Sequence, residues 1–172
     1  MPIADLIAEI IELQSAVHAF YPGLSDPVPG PPASAEDLTR LDAYFRDKGL
    51  GTPPSLREAL ASFNGVEHLF AEDFGLRSVA DIVARRFEPT DEAVEAFPTA
   101  TDIIIGGGVT QEFMSLDVAR PRSDGELGVL TVTIDLFPRT ADTFRAYLEE
   151  LRGNLRTTLD EERRDRDALP DN

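Results

Sequence analysis

Apolar residues recur at alternating spacings of three and four through the first twenty positions: Ile3, Leu6, Ile10, Leu13, Val17 and Phe20 form one stripe, and Ile7 and Ile11 widen it. That period predicts an amphipathic helix over residues 1–21. Its apolar face must be covered, either by the rest of the chain or, given the heptad-like spacing, by a homodimer or a partner helix. Between Pro22 and Pro32 stand five prolines and two glycines, which suit neither a helix nor a central strand and predict a partly extended linker over 22–33. Helical spacing resumes after Ser34, whose offset to Asp37 suits N-terminal capping, with Leu38, Leu41 and Phe45 inward and Gly49 and Gly51 ending the element. A third helix is written between Pro53 and Gly65. Prolines precede its first turn, Ser55 and Glu58 have capping-box spacing, and Gly65 can take the left-handed conformation that ends a helix.

Beyond Gly65 the period falls toward two. Ile103 to Ile105 is a short apolar run, Met114, Leu116 and Val118 alternate, and Leu130, Val132, Ile134 and Leu136 alternate with Thr131, Thr133 and Asp135. Asp124-Gly125 supplies a turn between the last two runs, which predicts an antiparallel hairpin with one face on helices. Phe144, Tyr147, Leu148, Leu151 and Leu155 mark a closing helix, and from Thr157 the chain turns to Asp, Glu and Arg, reading as a fraying charged tail over 157–172.

The segment Pro53 to Gly65 is the first of a colinear series. Gly75-Leu76-Arg77-Ser78-Val79-Ala80-Asp81-Ile82 follows, then Ile103-Ile104-Ile105-Gly106-Gly107-Gly108, Phe113-Met114-Ser115-Leu116-Asp117, Gly128-Val129 and Thr143-Phe144-Arg145-Ala146-Tyr147-Leu148. In this order the segments resemble the SUKH superfamily, the Smi/Knr-like proteins, over roughly two thirds of the chain. The chain departs from the family pattern at Leu56, where Tyr is frequent, at Val66, where a second Gly is frequent, and in having no Trp. The resemblance implies an α+β fold: a single SUKH-like domain over 34–156, with a mixed, mainly antiparallel sheet and helices packed against it. For bacterial members it implies immunity proteins that neutralise toxins, and for eukaryotic members regulatory and interaction proteins.

Composition narrows the function classes. The 172 residues include 32 acidic against 16 basic side chains, a formal net charge of -16. Such a field repels a phosphate backbone and an anionic membrane surface, so neither nucleic acid nor membrane is expected as a partner, while encounter with a basic protein is favoured. With no cysteine there is no disulfide, thiolate nucleophile or cysteine metal site. The N-terminus lacks a basic n-region and its apolar run is broken by Asp5, Glu9 and Glu12, so neither a signal peptide nor a spanning helix is expected, and the reading is cytoplasmic.

Chemistry-bearing motifs are absent where they would be needed. The triple glycine 106–108 has no Gly-Lys-Ser/Thr after it and leads into strand residues, so a turn is expected and not a phosphate loop. His18 and His68 have no second histidine at ligand spacing, and no Gly-x-Ser-x-Gly elbow is written. No catalytic residue, metal ligand or cofactor is assigned, and a non-enzyme is expected. From Glu67 to Phe97 the chain is acidic and short of regular periodicity, either a solvated connection or a docking surface. Glu67, Glu72, Asp73, Asp91, Glu92 and Glu95 are the candidate partner-binding residues. Charge and resemblance together point to an immunity protein that binds a cognate basic toxin of nuclease type. A cytoplasmic regulatory scaffold acting through its N-terminal helix is the alternative.

Overall fold

The apolar stripe of the first residues is buried within the chain itself. The computed structural model describes residues 1–71, 73–86, 95, 103–107, 112–132 and 138–168, and in it helix α1 (Ile3–His18) packs along helix α5 (Phe144–Asp167). Arg145 Nη1 donates to the Met1 carbonyl at 2.8 Å, Arg152 and Arg156 both reach Glu9, and Tyr21, just beyond α1, donates to Glu162. These contacts advance in the same direction along both helices, so the two run parallel. Ile3, Leu6, Ile7 and Ile10 are fully buried, so this part of the stripe is covered by the chain itself. Leu13 departs from expectation: it is half-buried, while Gln14 and His18 take the inner side, with Gln14 Nε2 3.2 Å from His18 Nε2.

Two segments read as appendages are built into the fold. The charged tail is helical as far as Asp167, because Leu159, only 6% exposed, continues the stripe of Leu148, Leu151 and Leu155. Its charged residues also have partners on the N-terminal segment: Arg156 with Glu9, Glu162 with Tyr21, and Arg166 5.0 Å from the centre of the Phe20 ring. The proline-rich linker is extended, as expected, but stitched to the sheet. Its strand β1 (Val28–Pro29) pairs antiparallel with β2 (Val66–Ala71), and the Gly30 N–H donates to the Gly65 carbonyl at 2.8 Å. A proline suits this outer strand, where no further ladder asks for its missing N–H.

The described residues also form helices α2 (Ala35–Asp47), α3 (Pro54–Ser62) and α4 (Val79–Ala84), with strands β3 (Phe74–Leu76), β4 (Ile104–Gly107), β5 (Phe113–Asp117), β6 (Gly128–Val132) and β7 (Pro138–Ala141). The protein is α+β. The seven strands among the described residues follow one another in sequence order across one sheet, and every described pairing is antiparallel where a mixed sheet is expected. The β5–β6 hairpin forms in the register Phe113↔Val132 through Asp117↔Gly128, with Gly125 at φ +81° in its turn. Met114, Leu116 and Val129 join the core beneath the helices, whereas Phe113 and Val132 are buried in a smaller cluster with Ile104 and Leu130. Alternation along a strand places these two sets on opposite faces. The apolar set Leu130 and Val132, which sequence alone would turn toward the helices, therefore faces away from them, and Thr131 stands on the helix side.

Capping shows the same reach across the chain. Ser34 and Asp37 form the expected capping box on α2, and Ser78 and Thr143 cap α4 and α5. The expected box on α3 does not form. Ser55 N–H and Oγ instead donate to the Glu126 carboxylate at 2.8 and 2.6 Å, and Glu58 accepts from the Ile3 N–H at 2.7 Å, capping α1. A carboxylate from another element can displace a local cap because the exposed N–H groups and helix dipole favour any anion placed there. Helix α3 ends at Ser62 with Phe63 extended, so Gly65, at φ +93°, shapes the turn into β2 and not the helix cap itself. Asn64 Oδ1 accepts from the Val79 N–H at 2.8 Å, joining that turn to the start of α4.

Candidate binding site

Gly106 and Gly107 lie in strand β4, not in a turn, and Gly108 is outside the described residues. A Cβ on Gly106 would stand 3.1 Å from the Gly75 carbonyl oxygen and 3.2 Å from Phe70 Cε2, so the missing side chain lets the Phe70 ring lie close over the sheet. The β2–β3 hairpin that carries this ring is irregular: Val66 pairs with Leu76 and Ala71 with Phe74, which leaves extra residues on β2. That bulge is accommodated with His68 at φ +56° and, beyond it, Asp73 at φ +57°. Asp73 N–H donates to His68 Nδ1 at 3.1 Å, so a neutral His68 ring carries its proton on Nε2. Phe70 then meets Phe74 edge-on at 5.3 Å and Tyr147 of α5 at 5.6 Å.

These three rings wall a cavity of about 440 Å³ between the sheet and α5, open to solvent past Arg139 and Glu150, with Thr131 within it. Thr131 is 6% exposed, and its hydroxyl oxygen is buried without a hydrogen-bond partner. Burial pushes the Tyr147 phenol up to about 12; the Thr131 hydroxyl and Arg139 pull the other way, and Glu150 and Glu112 add to the rise. The Thr131 oxygen thus lies near the phenol without meeting hydrogen-bond geometry. At neutral pH Tyr147 is a phenol, able to donate a hydrogen bond and poorly suited to act as a base.

This displacement has a measurable consequence. An unfolded Tyr ionises near its ordinary value of 10.0 and the folded one only near 12, so the contribution of Tyr147 to stability is complete below pH 10 and falls as the pH rises from 10 to about 12. Denaturant titrations across that window should show the wild type losing about 2 kcal/mol more than Tyr147→Phe. Equal losses in the two proteins would mean that the phenol is hydrated in the fold.

A second cavity, of about 270 Å³, lies at the mouth of the β2–β3 hairpin and is lined by Glu67, His68, Asp73, Arg77 and Gly107. It brings together two of the acidic residues marked from sequence, Glu67 and Asp73, both exposed. Glu95 is exposed, and Glu72, Asp91 and Glu92 lie outside the described residues. Among the described residues no group of three or more His, Asp or Glu side chains is arranged to hold a metal ion, and no helix is long and apolar enough to cross a membrane. No protein-family model matches the chain, and comparison with curated proteins finds no match. The aromatic cavity escaped sequence reasoning because Tyr147 sits in the apolar period of α5 and Thr131 in the polar period of β6. Only the register of the β5–β6 hairpin turns that threonine toward the helix.

Proposed function

We propose that this protein is a non-catalytic cytoplasmic immunity protein that binds a cognate basic toxin, of nuclease type, and occludes its active site. The observation that carries the reading is the disposition of charge. Arginines are engaged within the chain, as in Arg57 with Asp42, Arg86 with Asp81, Arg122 with Asp124, Arg145 with Glu58, and Arg152 and Arg156 with Glu9. The excess among 32 acidic and 16 basic residues is thus left facing solvent, as at Glu67, Asp73 and Glu95. A surface of one sign speeds encounter with a partner of the other sign, and the effect fades as salt screens it. The cavities supply apolar and polar recesses of the kind that hold interface side chains.

The test begins with the genes on either side of this one: a toxin domain encoded there is the expected partner, and a neighbourhood with none counts against the proposal. Co-expression of that toxin with this protein should restore growth, and stopped-flow association should slow about tenfold at low salt when Asp91, Glu92 and Glu95 are changed to Lys, with Glu67→Lys and Asp73→Lys as the second cluster. Dissociation should change less. Rates unaffected by either set at low salt would remove these carboxylates from the interface, and failure to protect cells would remove the function.

A further inference from the structure

We propose that the aromatic cavity between the sheet and α5 receives an arginine side chain of the basic partner, its stem against Phe70, Phe74 and Tyr147 and its guanidinium between the Thr131 hydroxyl and the carboxylates of Glu112 and Glu150. This inference rests on the functional reading above and names the group that the partner would insert.

The lining selects the ligand. Thr131 is buried with its hydroxyl oxygen unpartnered, although buried polar atoms in folded proteins are nearly always hydrogen-bonded. With the Tyr147 phenol beside it, this oxygen forms one polar spot on an aromatic wall, where a donor arriving from outside would meet the two hydroxyls together. Glu112 and Glu150 line the same cavity, so two groups that only accept hydrogen bonds border the space that Thr131 and Tyr147 share. Arginine has five N–H donors and no acceptor, and its flat, weakly hydrated guanidinium packs against aromatic rings better than a lysine ammonium does. A volume of about 440 Å³ accommodates such a side chain with the waters that keep its charge partly solvated. Among the described lining residues an anionic group would find one cation, Arg139, against two carboxylates and the chain's net charge of -16. Arg139, exposed and of like charge, is the described lining residue that opposes an arginine. Substitutions around the cavity should therefore act with opposite signs, which a general loosening of the fold would not produce.

The experiment titrates the isotope-labelled full chain with N-acetyl-arginine N-methylamide and with its neutral citrulline counterpart, following backbone amides by NMR. The arginine compound should give saturable shifts at Phe70, Phe74, Thr131 and Tyr147, and the citrulline compound should bind at least several-fold more weakly. Glu150→Gln and Glu112→Gln should each weaken the arginine compound about two- to fivefold, and Arg139→Gln should strengthen it by a similar factor. Glu150 and Arg139 are exposed, so their variants should melt like the wild type, which a thermal scan checks. Shifts confined to other surfaces, equal binding of the citrulline compound, or charge variants that fail to move in opposite directions would overturn the proposal. If the probe fails while a cognate basic toxin is still bound, the cavity assignment falls and the functional reading stands; if no basic partner is bound at all, that reading falls by itself.

Discussion

Replacing Ile10 by Asp is expected to abolish the native fold or leave it only marginally populated at room temperature. Ile10 is fully buried on α1, among Ile3, Leu6 and Ile7 and against α3 and α5. Removing a buried isoleucine costs about 2 to 5 kcal/mol, and a carboxylate left there without a partner adds a desolvation penalty of similar size. Together these approach the whole stability of an ordinary domain, about 5 to 15 kcal/mol. Because the stripe is covered in cis, the loss should be independent of protein concentration. Urea melts at two concentrations a hundredfold apart provide the check: a variant as stable as wild type, or one rescued by concentration, would show that α1 does not hold this place in solution.

The second large effect is expected at Gly75, where Ala should destabilise by about 3 kcal/mol. A Cβ there would lie 2.3 Å from the Val66 carbonyl oxygen, 3.0 Å from Glu67 Cα and 3.1 Å from the His68 nitrogen. All three are backbone atoms, so no side chain can swing aside, and β2 would have to move away from β3. The same change at Gly153 has the opposite expected sign. That residue lies within α5 with nothing within 4 Å of its added Cβ, so Ala should stabilise by about 0.5 to 1 kcal/mol through helix propensity. Chemical denaturation of the two variants decides between a local clash and a general intolerance of substitution, since Gly75→Ala and Gly153→Ala shifting together would contradict the geometry.

That contrast illustrates how far sequence carries. Gly75 and Gly153 are indistinguishable as letters, and only the pairing of β3 with β2 makes one of them obligatory. The acidic residues behave similarly. Their number and sign are plain in the chain, but the meeting of Glu67 with Asp73 at one cavity depends on the bulged hairpin between them. Ser55 and Glu58 have the spacing of a local cap, yet each is taken by a different element, because a helix N-terminus attracts the anion that folding brings nearest and is indifferent to its distance along the chain.

What the sequence determined by itself is the local and the additive. Apolar period set the helices α1, α2 and α5 and the hairpin strands, Ser34 with Asp37 set one helix start, and the count of charges set the sign of the surface field. What only the tertiary structure decided is the relational: the parallel docking of α1 on α5, the continuation of α5 through a stretch of Asp, Glu and Arg, the stitching of the proline segment to β2, and the face of β6 on which Thr131 stands. The physical reason lies in range. Periodicity and capping act within a turn or two of chain, whereas these arrangements are fixed by contacts between residues far apart in sequence. Arg156 is 147 positions from Glu9, and Ser55 is 71 from Glu126, so neither pair has any signature in the spacing of its neighbours.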